Sequence, residues 1–287
     1  MEFYQIYNPI TATPFACSDA YMEFAPCDAL KPYIKCFWGT RQPIKQLKTD
    51  IPTQGVVTPD TCMDIIFDID FTNNRIDGGF CGIDDRTFYT HNNNDEEKMI
   101  STFAIRFYAW SAVLFSEESM RNVKNAFYDV EYHFAKLKRE LEPMLFDIVT
   151  MEERIAIAQR YLLTHFREEC KKPLVTEAIA EILTRKGNLR AGELAKELHT
   201  SNRQLERLFR EYVGTSPKNL ASMVRYQYLW ADILQNPEFD ILDGVHRYGY
   251  VDQAHLHRDF KKFHSMNIAE AKRYALEHVA FLQEKPQ

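Results

Sequence analysis

Two stretches near the C-terminus, Ser201 to Tyr212 and Asp252 to Phe263, carry one pattern at an offset of 51 residues. Ser201, Leu205, Arg207, Phe209 and Tyr212 return as Asp252, Leu256, Arg258, Phe260 and Phe263. In each, a residue suited to helix capping is followed by apolar residues that share one helical face, with an arginine outside that face. Such a helix buries one side against its neighbours and presents the other outward.

The residues before each helix extend the pattern. Leu194, Ala195 and Leu198 make the apolar stripe of a short helix ending at His199 and Thr200, and Ser201 restarts the chain with Gln204 at capping-box spacing. Two helices joined by so short a turn form a helix-turn-helix. The second copy runs from Ile241, Leu242 and Val245 to Gly249 and Tyr250, where glycine suits a left-handed turn, and Asp252 caps. Between the copies, Leu220, Met223, Val224, Tyr226, Leu229, Trp230, Ile233 and Leu234 make Pro217 to Gln235 amphipathic, closed by Asn236 and Pro237. A continuous helix there, at about 1.5 Å per residue, separates the units by about 28 Å, near the roughly 34 Å of one DNA turn.

Residues 187 to 273 resemble the DNA-binding domain of the AraC/XylS family of bacterial transcription regulators. The match rests on Leu194-Ala195, the run Ser201 to Arg210, Gly214-Thr215-Ser216-Pro217 and Arg225 in the first half. In the second it rests on Gly249-Tyr250, Asp252-Gln253, His255-Leu256 and Arg258 to Lys262. Gly244 stands where an aliphatic residue is usual, and Ser265 and Ile268 replace the usual glycine and proline. A glycine inside a helix costs about 1 kcal/mol relative to alanine, so a looser second unit is expected.

The resemblance assigns base reading to Arg203, Glu206 and Arg207 in the first unit and to Ala254, His255 and Arg258 in the second. Arginine can donate two hydrogen bonds to guanine, glutamate can accept one from cytosine, and alanine can touch a thymine methyl. Arg210, Lys218, Lys261 and Lys262 are flanking cations suited to phosphate, which positions without specifying sequence. Double-stranded promoter DNA is the implied partner, with RNA polymerase if the protein activates.

Bulk charge contributes little to this reading. Residues 174–287 hold 16 Lys and Arg against 15 Asp and Glu, and residues 1–173 hold 19 against 26. DNA affinity must therefore come from local clustering. With 45% hydrophobic residues over 287 positions, two cored domains are expected. The first residues lack the basic start of a signal peptide and no apolar run is long enough for a bilayer, so a cytoplasmic protein is expected, with no membrane partner. Cys17, Cys27, Cys36, Cys62, Cys81 and Cys170 have no CxxC spacing and are expected to be free thiols.

The fold class expected is α+β: an N-terminal β-rich cupin-like barrel with following helices, then an all-α domain of two helix-turn-helix units joined by a linker helix. The segments 33–38, 55–57, 63–69, 80–83, 87–90 and 102–108 are rich in aromatic and β-branched residues. Turns are expected at Thr58-Pro59-Asp60, Asn73-Asn74, Asp77-Gly78-Gly79 and His91 to Asn94. From Ser116 a helical spacing runs through Val123, Phe127, Val130 and Phe134, then Leu137, Leu141, Leu145 and Ile148, then Ile155, Ala158 and Leu162. Domain limits of 1–115, 116–173 and 174–287 follow, with the middle part as a subunit interface and Glu168 to Pro173 as a linker.

Val57 to Asp60, Met63 to Phe67 and Phe103 to Phe107 resemble the sensory domain of some AraC-type regulators, which implies a cupin-like barrel, a small-molecule effector and a homodimer. An interior lined by Phe37, Trp38, Phe67, Phe80, Phe103 and Phe107 would suit an apolar ligand, with Arg106 for its carboxylate. Two alternatives stay open: an effector pocket, or a dry core in a constitutive regulator whose N-terminal domain serves dimerisation or docking. His91, His133 and His165 are too scattered for a metal site, and His255 and His257 point to different sides of a helix. No catalytic, metal or cofactor residues are assigned. A cysteine-based sensor or alkyl acceptor is the weakest alternative, because no cysteine sits in an activating cluster.

Overall fold

The computed structural model describes residues 2–10, 21–94, 96–236 and 238–279. Among the described residues the N-terminal part holds nine strands: β1 (Met22–Phe24), β2 (Ile34–Gly39), β3 (Ile44–Gln46), β4 (Thr49–Val57), β5 (Cys62–Asp70), β6 (Arg75–Cys81), β7 (Phe88–Asn94), β8 (Lys98–Tyr108) and β9 (Phe127–Asp129). A short helix α1 (Phe3–Ile6) precedes them, and α2 (Glu131–Leu141) and α3 (Met151–Thr164) follow. The C-terminal part is helical: α4 (Pro173–Thr184), α5 (Ala191–Glu197), α6 (Asn202–Tyr212), α7 (Pro217–Gln235), α8 (Ile241–Arg247), α9 (Gln253–His264) and α10 (Ile268–Val279).

The strands make two antiparallel sheets. The larger has the order β1-β2-β8-β5-β6-β9, with β3 also on β8, and β4 pairs with β7. Alternation explains the centre of the larger sheet. Met63, Ile65, Phe67 and Ile69 of β5 are buried, and the first three lie opposite Phe107, Ile105 and Phe103 of β8. Cross-strand apolar pairs on one face are the unit of sheet stability.

Three sequence expectations fail here. Asp77-Gly78-Gly79 is not a turn: the three residues lie inside β6, opposite Asp68, Phe67 and Ile66. The glycines serve close packing, since a Cβ on Gly78 would lie 2.7 Å from Val130 and one on Gly79 would lie 2.0 Å from the Phe127 ring. His91 to Asn94 likewise complete β7. The helical spacing from Ser116 is also misleading up to residue 130. Asn122 and Asn125 take left-handed backbone with φ of 66° and 53°, which stops a helix, and Phe127–Asp129 pair with β6 as β9. From Glu131 helices do form, with Phe134, Leu137, Leu141, Ala158 and Leu162 buried, but α2 stops at Leu141, so Leu145 and Ile148 lie outside it.

Arg154 of α3 is buried, and its guanidinium donates to the carbonyls of Ile148 and Leu145 and to Ser101 Oγ on β8 at 2.7, 3.1 and 2.6 Å. Burial pulls its pKa down to about 10. Cys27, Cys36, Cys62, Cys81 and Cys170 are free thiols, while Cys17 lies outside the described residues. Burial pushes the Cys36 thiol up to about 12, opposite to what a thiolate sensor needs. Among the described residues no helix is long and apolar enough to cross a membrane.

The sheet region and the C-terminal helices pack against each other. Gln227 in α7 bonds Ile10 N and Pro59 O, Asn219 bonds Asp85, and Thr87 Oγ1 donates to Phe263 O at 2.6 Å.

Candidate nucleic-acid interface

The first helix-turn-helix unit is α5 and α6. Leu194, Ala195, Leu205 and Phe209 are buried, and His199 turns the chain at φ 50° so that Thr200 N bonds Ala195 O at 2.9 Å. Ser201 Oγ then accepts from Gln204 N at 3.2 Å and caps α6. The amphipathic spacing leaves Arg203, Glu206, Arg207 and Arg210 exposed on the outer face. Arg210 pairs with Glu206 and Arg207 with Glu211, each at 3.3 Å, which are weak surface contacts that phosphate or base groups can replace. Lys218 is exposed in the first turn of α7.

The second unit is α8 and α9. Gly249 takes φ 65°, Tyr250 N bonds Val245 O at 2.9 Å, and Asp252 Oδ1 accepts from His255 N at 2.6 Å. This turn is one residue longer than the first. Val251, 83% exposed, is the extra residue, so the offset between copies is 50 before the turn and 51 after it. Ala254, Arg258, Lys261 and Lys262 are exposed. His255 is half-buried instead: its ring meets Tyr250 edge-on at 5.2 Å and its Nδ1 accepts from Val251 N at 3.4 Å, so it helps hold the turn.

The substituted family positions have physical compensation. Gly244 leaves room for Phe239, whose ring would lie 2.7 Å from a Cβ there, so the second unit is filled rather than loose at this point. Asn267 and Glu270 form a reciprocal capping box at 2.9 and 3.0 Å ahead of α10, where Ile268 is the first helical residue. Ser265 has no such relief, since it caps α9 at φ 63°. Ser265→Gly is expected to raise stability by about 0.5–1 kcal/mol, read by urea unfolding, because glycine alone adopts this backbone without penalty. A neutral or destabilising result would mean that the serine side chain contributes there.

α7 joins the units. Its 19 residues from Pro217 to Gln235 bury Leu220, Met223, Val224, Tyr226, Leu229, Trp230 and Ile233. Arg225 binds Asp259 of α9 at 2.9 Å and lies over the Tyr250 ring, tying α7 to the second unit. Tyr226 OH meets His264 Nδ1 at 2.8 Å, and burial holds that histidine neutral with a pKa pulled down to about 4.

A helix-turn-helix domain family matches residues 194–274, the span of this double unit. The C-terminal region is an AraC-type helix-turn-helix domain. A second family, a domain of unknown function (DUF6597), matches residues 22–129. No curated protein matches the chain. The solved structures similar to it include the C-terminal domain of AraT, a response regulator from Geobacillus stearothermophilus, at 24% identity over 36% of this chain and 86% of that one, with a TM-score of 0.34. An AraC-type regulator from Chromobacterium violaceum matches at 23% over 36% and 92%, with a TM-score of 0.33. ToxT from Vibrio cholerae matches at 15% over 82% and 96%, with a TM-score of 0.40.

The expected ligand residues lie elsewhere, away from the AraC-type domain's outer face, and they are committed to packing. Phe37, Phe67, Phe80, Phe103 and Phe107 have no exposed surface; Phe37 stacks on Phe103, and Phe80 and Phe107 both meet Phe134. Trp38 is half-buried and donates to Asp64 at 2.7 Å. Arg106 Nε donates to the same Asp64 oxygen at 2.8 Å, with Asp60 and Glu23 each 3.7 Å from its Nη1. Burial opposes this charge and the two aspartates outweigh it, so its pKa is held above the ordinary value. An apolar cavity of ≈ 210 Å³ lies between the sheet region and α4, lined by Phe3, Trp110, Leu114, Val175 and Ile179, with Glu2, Lys171 and Lys172 among the residues around it.

Two contributors escaped the sequence reading. Arg121 and Lys124, in the loop before β9, stand beside α6. No periodic signal marks them, because only tertiary packing brings them there.

Proposed function

We propose that the chain is a sequence-specific, cytoplasmic transcription regulator that reads promoter DNA as a homodimer through α6 and α9 and is controlled by a small effector. The observation that carries the DNA reading is the exposed face of α6, where Arg203, Glu206, Arg207 and Arg210 stand together on a capped helix of an AraC-type domain. α9 repeats the arrangement with Ala254, Arg258, Lys261 and Lys262, so the first unit carries more of the base discrimination and the second more of the phosphate contact. RNA polymerase is the further partner if the protein activates.

The filled sheet interior moves the effector reading to the cavity between Phe3, Trp110 and α4. Its apolar lining, with Lys172 nearby, suits a small apolar anion. A ligand there would touch both the sheet region and the first helix of the C-terminal part, and so favour one arrangement of the two.

Salt-dependent titration of DNA fragments selected by the purified protein tests the reading. Arg203→Ala is expected to cost about 1–3 kcal/mol on the selected fragment and to relax preference at one guanine-containing step. Lys261→Ala is expected to weaken all fragments alike and to flatten the salt slope by about one contact. Equal loss on every sequence for both variants would overturn the assigned roles. Titration with cell metabolites separates the two modes of control, since binding that none of them alters would support a constitutive regulator.

A further inference from the structure

The loop at residues 119–126 belongs to the sheet region by chain order, yet it is fastened to the first recognition unit. Met120 N donates to Glu211 O at 2.8 Å, and Met120 and Val123 are fully buried. Val123 packs so close to Gly214 that a Cβ there would lie 2.5 Å from its methyl. Asn125 exchanges two hydrogen bonds with Asp85 at 2.8 and 2.9 Å, and Asn219 at the start of α7 donates to the same carboxylate at 3.0 Å. The loop is thus held at both α6 and α7.

Its two cations face the same opening as α6. Arg121 and Lys124 keep side-chain exposures of 56% and 43%, and with Arg203, Arg207 and Arg210 they line an open cleft of ≈ 960 Å³ that Glu206 also lines, while Lys124 pairs with Asp85 at 2.9 Å. Arg121 and Arg207 share Glu211 Oε2, each at 3.3 Å, which places the loop cation next to the outer face of α6.

The dimensions of DNA decide what such a neighbour meets. A helix with its side chains is about 10–12 Å wide, and the major groove is about 12 Å wide. With α6 in the groove, a segment alongside it meets the sugar-phosphate wall and not a base edge. We infer that Arg121 and Lys124 form a phosphate clamp, so that the sheet region binds the same duplex directly, beside the first recognition helix. The inference rests on the DNA-binding reading above. It makes the sheet region part of the binding surface, and any shift of this loop a change in affinity.

The test uses the full chain with Arg121→Gln and Lys124→Gln together, compared with the charge-keeping pair Arg121→Lys and Lys124→Arg. Loss of two phosphate contacts, at about 0.9 each, is expected to make the slope of log affinity against log salt shallower by about 1.8. Affinity should fall by one common factor on all fragments, leaving the ratio of specific to non-specific binding unchanged, and the charge-keeping pair should restore it. Melting temperature checks that both variants are folded. An unchanged slope in a folded glutamine variant, a gain in affinity, or a loss confined to the specific fragment would overturn the clamp while leaving the regulator reading intact. Absence of salt-dependent DNA binding by the unaltered protein would overturn both.

Discussion

Arg106→Leu is expected to lower stability by about 3–5 kcal/mol, the usual cost of removing one partner from a buried ion pair. Arg106 is 3% exposed, so what leucine leaves behind is decisive. Asp64 would keep Trp38 Nε1 at 2.7 Å but lose its cation, and Asp60 would lose the same cation at 3.7 Å. Leucine would also remove the cation that lies 5.4 Å from the Trp38 ring centroid. Urea unfolding measures the loss, and adding Asp64→Leu to the variant should recover part of it, because the uncompensated charge then disappears. A stable Arg106→Leu protein that has lost only its response to an acidic effector would instead return Arg106 to the ligand role its sequence context suggested.

Arg106 illustrates why the two halves differ in legibility. The C-terminal helices are specified locally. Ser201, Ser216, Asp240 and Asp252 each cap a helix through a first-turn N–H, and α7 begins and ends at Pro217 and Gln235 as its amphipathic pattern requires. The outward residues of α6 follow from the same periodicity. In the sheet region, partners are set by non-local pairing. Asp77-Gly78-Gly79 has turn chemistry in isolation, but Phe67, Phe127 and Val130 crowd its backbone and make it strand. Val123, Phe127, Val130 and Phe134 share helical spacing, yet Val123 anchors a loop, Phe127 is 67% exposed on a strand, and Phe134, though within the bounds of α2, sits at a kink with φ -138° and ψ 49°. The phenylalanines read as ligand contacts do share one buried face, but packing density cannot be read from composition, and here they fill the space themselves, while Trp38 stands on the opposite face of the sheet with Asp64 and Arg106. Arg121 and Lys124 were invisible for the same reason, since their neighbours on α6 lie 79 or more positions away in the chain.

Gln227→Leu is the substitution expected to separate the sheet region from the DNA-reading helices, at a cost of about 2–4 kcal/mol. Gln227 lies mid-way along α7 and is 2% exposed, and its amide serves both sides of a contact: Oε1 accepts from Ile10 N at 2.8 Å and Nε2 donates to Pro59 O at 2.5 Å. Leucine matches the volume but bonds neither group, and each buried backbone group left unpaired costs about 1–3 kcal/mol. Ile10 N is only partly shielded, which places the sum below the maximum. The neighbouring Tyr228 donates to Ile6 O at 2.6 Å and packs on Tyr7, so the same turn of α7 holds a second piece of the N-terminal segment. Because α7 joins α6 to the second helix-turn-helix unit, these bonds tie the sheet region to the element between the two units. Urea unfolding gives the stability change, and DNA titration gives its consequence for binding. A loss of stability with altered affinity on two-site fragments, but unaltered affinity on single-site ones, would show that α7 transmits the contact; a folded variant with neither change would show that the two parts are energetically independent.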